Sequence, residues 1–131
     1  MAAAKAWSTW EAHASTLHPD TRLIKHFSDG GRAHARCLIA THYFKNQCFL
    51  EPDQLLKNAS VLKDIPGIVV HGRFDCVSPL NNAHQLRKAW PTSQLYIVRE
   101  AGHSATEPAM IDALIRATRD MALRFEADFH V

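Results

Sequence analysis

The chain has 131 residues, 47% hydrophobic and 21% charged, with a formal net charge of +2. One domain fits that length, and the apolar share suffices for a core, which excludes a disordered chain. Lysines and arginines are scattered rather than gathered on one face, which argues against a nucleic-acid partner, and no run approaches the roughly 18 apolar residues of a membrane span.

Residues 2–17 read as a helix. Alanines and Lys5 favour it, and Trp7, Trp10, Ala14 and Leu17 recur at three- and four-residue steps. The apolar stretch before Glu11 is too short for a secretory signal, so the expectation is a soluble, cytoplasmic protein. At 100° per residue Glu11 falls on the same face as the tryptophans. A carboxylate there is costly if buried alone. Either it is salt-bridged or snorkelling, or it is a pocket carboxylate for a cationic ligand. His18-Pro19-Asp20 breaks this helix and Asp29-Gly30-Gly31 makes a second break. Residues 32–45 form the next helix, with Ala35, Leu38, Ile39, His42 and Tyr43 as its apolar stripe. A third runs from Asp53, a candidate N-cap, to Leu62, burying Leu55, Leu56, Ala59 and Leu62.

The character changes at Ile65-Pro66-Gly67. Ile68-Val69-Val70 is β-branched without polar alternation, as in a strand of a parallel sheet buried on both faces. A helix follows from Pro79 to about Trp90, and Leu95-Tyr96-Ile97-Val98 is a second strand. Thr106-Glu107-Pro108 opens the last helix, with Thr106 as cap. Met110, Leu114, Ala117, Met121 and Phe125 form its buried side; Asp112, Arg116, Arg119 and Arg124 cover the other. The order is a βαβ unit followed by a helix, so the fold class is α/β with a parallel strand pair. The expected division is a helical segment over 1–63 and a βαβα part over 64–131.

Cys37, Cys48 and Cys76 are an odd count without Cys-x-x-Cys spacing, which reads as reduced thiols. The nine histidines show neither His-Glu-x-x-His nor zinc-finger spacing, so no metal or other cofactor is expected.

The chemistry concentrates at two strand ends. Asp75 follows the first strand and His103 the second, each in a loop carrying glycine (Gly72 and Gly102) that permits a tight turn. Parallel sheets gather functional groups at the carboxyl ends of their strands. An α/β hydrolase presents the acid and base of a Ser…Asp…His triad in this order. The alternative is that Asp75 only caps the following turn and His103 is a surface loop residue.

Gly72-Arg-Phe-Asp-Cys-Val-Ser-Pro79, Lys88-Ala-Trp-Pro91 and Ala101-Gly-His-Ser-Ala-Thr-Glu-Pro108 closely resemble the C-terminal region of proline iminopeptidases, serine peptidases of the α/β-hydrolase fold. Trp7-Ser-Thr-Trp-Glu11 resembles their helical cap, and His42-Tyr-Phe44 a later cap helix. The resemblance implies that Asp75 is the triad acid and His103 the general base. It implies that Glu11 binds the free α-amino group of a peptide substrate with N-terminal proline. Three departures stand out. Ala40 occupies the place of a second family glutamate. Ser78 stands where a pocket cysteine is usual, making it the candidate substrate contact there. No serine sits in a Gly-x-Ser-x-Gly setting, since Ser8 and Ser15 lie in a helix, Ser28 precedes a loop and Ser104 follows His103.

The expectation is therefore the C-terminal part of an α/β hydrolase, inactive alone. The rivals are a non-catalytic interaction or regulatory remnant, associating through an exposed sheet edge, and a hydrolase of other amides or esters, motivated by Ala40 and Ser78.

Overall fold

The computed structural model describes residues 1–128; residues 129–131, the end of the segment expected over 64–131, lie outside it. Three helices come first: α1 (Ala2–Ala14), α2 (Thr21–Ser28) and α3 (Gly30–Lys45). A 3₁₀ turn (Gln47–Phe49), the single-turn α4 (Gln54–Lys57) and a second 3₁₀ turn (Ala59–Leu62) lead to β1 (Gly67–Gly72). Then come α5 (Leu80–Ala89), β2 (Ser93–Val98) and α6 (Pro108–Asp128). The strands are parallel, with Gly67 opposite Ser93 and Gly72 opposite Val98. The α/β class and the parallel pair are as the sequence indicated.

Both predicted breaks in the first half prove to be helix starts. Asp20 accepts the N–H groups of Arg22 and Leu23 and so caps α2, a helix between the two breaks that the sequence does not announce. Asp29 accepts the Arg32 N–H and caps α3, which starts at Gly30 rather than residue 32. A short acid before a helix satisfies amides that have no intrahelical acceptor, which is why Pro-Asp and Asp-Gly-Gly can open helices as well as close them.

The expected helix over 53–62 is divided. Asp53 lies at φ 59° and its side chain caps nothing, while Glu51 N–H donates to Gln54 Oε1. Gln47, Cys48 and Phe49 also adopt positive φ, a conformation that crowds Cβ against the carbonyl oxygen. The helix itself is interrupted at Asn58 (φ −96°, ψ 1°), between α4 and the second 3₁₀ turn. Leu55 is exposed rather than buried, and α4 and the second 3₁₀ turn pack on α5.

The buried face of α1 also differs from the one expected. Ser8, Ala12 and Ser15 are buried at steps of four and three, and Trp10 is 65% exposed. Small side chains let α1 approach α2 and α3 closely, and the tryptophans fall to the flank. Trp7 packs against Phe44, ring centroids 6.2 Å apart. The stripe of α3 is similarly turned outward: Leu38, Ile39 and Tyr43 are exposed, and Ala33 is buried.

On α6 the buried residues are Met110, Ala113 and Ala117; Leu114 and Phe125 are more open than expected. Leu114, Ala117, Thr118 and Met121 line a groove with Ile68 and Val70 of β1. Thr106 is not the cap, because the Glu107 carbonyl accepts the first helical amide, Ile111 N–H. β1 is not buried on both faces, since Ile68 to His71 are only half-buried. The openness of β1 and of α6 follows from a sheet of two strands, too narrow to cover its helices. The accessible surface is 9392 Å², against about 6,900 Å² for a compact folded chain of this mass.

Candidate active site

Where β1 ends, the chain turns at Asp75. The two oxygens of this carboxylate do different work. Oδ1 accepts the amides of Val77 (3.0 Å) and Ser78 (2.8 Å), closing the turn that leads to α5. Oδ2 faces His103 Nδ1 at 2.9 Å. The Asp75 side chain is 5% exposed, and that of His103 is 44% exposed. An aspartate built only as a cap would use its oxygens on its own turn; here one oxygen is left for the imidazole. Acceptance of Nδ1–H by a carboxylate fixes the tautomer in which Nε2 carries the lone pair.

The two loops meet because neither has a side chain in the way. A Cβ on Gly72 would lie 1.9 Å from the Gly102 carbonyl oxygen and 2.7 Å from that of Ala101. No glycine has positive φ, so the glycines serve close approach and not an unusual turn, which corrects the reason expected from the sequence. Arg73 N–H donates to Val98 O (2.9 Å) and Phe74 N–H to Ala101 O (3.0 Å), continuing the strand pairing into the loops.

Two participants escaped the sequence reading. His71, at the end of β1, donates Nε2–H to Ser78 O (2.9 Å) and lies 3.6 Å from Asp75 Oδ2. Period-two alternation from Val69 could have placed it on the same side of the strand. Glu107 is 9% exposed and accepts two amides, Gly102 N–H at 2.6 Å and Leu17 N–H at 2.8 Å. Its place just before Pro108 reads as a helix-dipole acid, which concealed this longer-range role.

Ser78 is held by its backbone beside Asp75, its amide on Oδ1 and its carbonyl on His71. Glu11 lies apart from that pair, in a narrow cleft with Trp7, Arg36, Cys37 and Ala40. Its carboxylate pairs with Arg36 at 2.6 Å, and Arg36 stacks on Phe27, 4.0 Å from the ring centroid. The salt-bridged alternative for Glu11 is therefore the one present. One turn further, just past the end of α1, the Ser15 carbonyl accepts both His103 N–H (2.9 Å) and Ser104 N–H (2.7 Å). The helix bearing Glu11 thus ends on the histidine loop.

The serines are engaged elsewhere. Ser8 is buried beside Cys37, Ser15 Oγ donates to Glu11 O, Ser28 Oγ to Lys25 O, and Ser104 Oγ pairs with Thr106. Among the described residues no serine hydroxyl is hydrogen-bonded to His103 Nε2. A separate groove of ≈ 680 Å³ runs along β2 and α6, lined by Tyr96, Val98, Arg99, Asp112, Arg116 and Asp120 among others. It contains neither Asp75 nor His103, so volume alone is a poor guide to the chemistry here. Among the described residues no helix is long and apolar enough to cross a membrane.

No family model matches the chain. Individual relatives do. It is 50% identical over 123 residues to a proline iminopeptidase of Xanthomonas citri, covering 93% of this chain and 39% of that protein. It is 38% identical over 121 residues to one of Arabidopsis thaliana (92% and 32%). It is 36% identical over 122 residues to one of Neisseria meningitidis serogroup B (92% and 38%). The chain spans about two-fifths of the length of the curated relatives it matches first, a share consistent with a C-terminal portion.

Proposed function

We propose that this chain, homologous over 93% of its length to a protein named proline iminopeptidase, is the C-terminal part of an α/β-hydrolase-fold serine aminopeptidase. The whole enzyme releases N-terminal proline from peptides. The observation that carries the reading is the 2.9 Å contact between His103 Nδ1 and Asp75 Oδ2. Asp75 orients the imidazole and stabilises its cation. His103 Nε2 takes the proton of a serine hydroxyl as that oxygen attacks the prolyl carbonyl carbon. The proton then passes to the leaving amine, and water releases proline from the acyl-enzyme. The serine and the oxyanion donors come from sequence beyond these 131 residues.

Glu11 holds the substrate ammonium, and Ser78 lines the proline subsite. Glu11 suits that role because α1 runs from it to Ser15, which holds the base loop, about 5.4 Å per turn. The ammonium then competes with Arg36 for the carboxylate. This chain alone hydrolyses nothing, because an imidazole–carboxylate pair without its nucleophile retains no route to the acyl-enzyme.

The test has two arms. The purified chain is assayed on proline 2-naphthylamide; turnover abolished by His103→Ala would overturn the reading of an inactive part. The chain also replaces the matching stretch of the Xanthomonas citri relative. Activity is expected there, falling about 10⁴-fold in kcat with Asp75→Asn; a chimera as active without His103 would remove the triad.

A second reading, a non-catalytic partner of a full-length hydrolase, draws on the open outer edges of β1 and β2 and on the large accessible surface. Unpaired edges recruit strands. Sedimentation of the chain alone and mixed with the full-length relative decides it: a monomer that ignores the relative removes this reading.

A further inference from the structure

The three consecutive amides around the histidine all have acceptors. Gly102 N–H goes to Glu107 Oε1, and His103 and Ser104 N–H both go to Ser15 O. The other oxygen of Glu107 takes Leu17 N–H. The histidine loop and the Glu107 carboxylate thus both engage the segment 15–17 that follows α1. The packing is equally close: a Cβ on Gly102 would meet Leu17 N at 3.1 Å and Ser15 O at 3.2 Å. One buried carboxylate thereby ties Gly102 to Leu17, a residue 90 positions away from the carboxylate in sequence.

We propose that Glu107 is a positioning residue for His103, locking the base loop to the end of the helix that carries Glu11. A carboxylate is the side chain for this, because both of its oxygens accept and both partners here donate. Short charge-assisted bonds to backbone amides hold a loop more tightly than neutral ones. His103 keeps its distance to Asp75 only if residue 102 keeps its own. The functional weight of the inference rests on His103 being the base; the bridge itself does not.

Glu107→Gln is the informative variant. It preserves shape but offers one acceptor oxygen and turns an NH₂ toward the other amide. In the 131-residue chain, nitrogen-15 spectra of the imidazole are expected to show the Nδ1–H tautomer of His103. In Glu107→Gln that tautomer mixes with Nε2–H, and the Gly102 amide exchanges about 10- to 100-fold faster. Ala117→Gly, which weakens α6 elsewhere, leaves the His103 tautomer unchanged, separating positioning from general destabilisation. A folded Glu107→Gln chain with the parental His103 spectrum would overturn the proposal. Should that variant fail to fold, amide exchange in the parent decides: Gly102 and Leu17 must be protected together, and free-loop exchange at either one overturns it. A failed triad would show in the chimera's activity and leave these spectra untouched, so the two failures are distinguishable.

Discussion

Gly72→Ala tests the reason the two loops meet. The added methyl carbon would stand 1.9 Å from Gly102 O, 2.7 Å from Ala101 O and 2.8 Å from Gly102 C. These are backbone atoms that cannot rotate aside. Relief to ordinary contact requires the loops to part by about 1.5 Å. Overpacking of this kind costs about 1–3 kcal/mol. Parting the loops also stretches the Phe74 N–H bond to Ala101 O, about 1 kcal/mol more. The sum, about 3 kcal/mol, is a large part of the roughly 5–15 kcal/mol that holds a domain. The same displacement carries His103 Nδ1 from 2.9 Å to beyond hydrogen-bond reach of Asp75. Urea denaturation followed by circular dichroism gives the first quantity, and the His103 tautomer the second. A Gly72→Ala chain within about 0.5 kcal/mol of the parent, with the imidazole unchanged, would refute close approach as the reason for glycine.

Other positions give independent checks. Cys48 sits at φ 55°, so Cys48→Gly should stabilise the chain by about 1 kcal/mol in the same urea titration. Glu11→Gln removes the partner of Arg36, whose Nη1 is already buried without one; as both side chains are partly exposed, the loss should be about 1 kcal/mol. Tyr96 donates to Asp120 Oδ2 at 2.9 Å, and that bond, with burial and the nearby charge, raises its pKa above the ordinary tyrosine value of 10.0. The folded state therefore favours the neutral phenol. Its contribution is full below that ordinary value and fades as pH rises through the folded one. Ultraviolet titration should show Tyr96 ionising above that ordinary value, with Asp120→Asn removing the delay.

The approach of Asp75 to His103 is legible in the sequence. Two apolar runs, each ending at a glycine, fix two strands, and parallel pairing brings their ends to one rim. The buried faces of α1 and α3 differ from the apolar stripes of the sequence for a shared reason. Helical periodicity reports where apolar residues fall, whereas burial depends on what stands opposite. Where helices pack through Ser8, Ala12 and Ala33, small residues are inside, and Trp10, Leu38 and Ile39 are left out. The helix starts at Asp20 and Asp29 were concealed because the residues that end one helix can cap the next.

By itself the sequence determined the strands, their loops and the places of Asp75 and His103 at the strand ends, because those depend on local pattern and chain order. It also carried the likeness to proline iminopeptidases over most of its length. Tertiary structure alone decided how His103 is held. That Gly72 yields space to Gly102, that Ser15 receives the histidine's amide, and that Glu107 spans to Leu17 all depend on through-space approach. Such contacts leave no periodic trace, since residues 17 and 107 meet only once the helices and strands have packed.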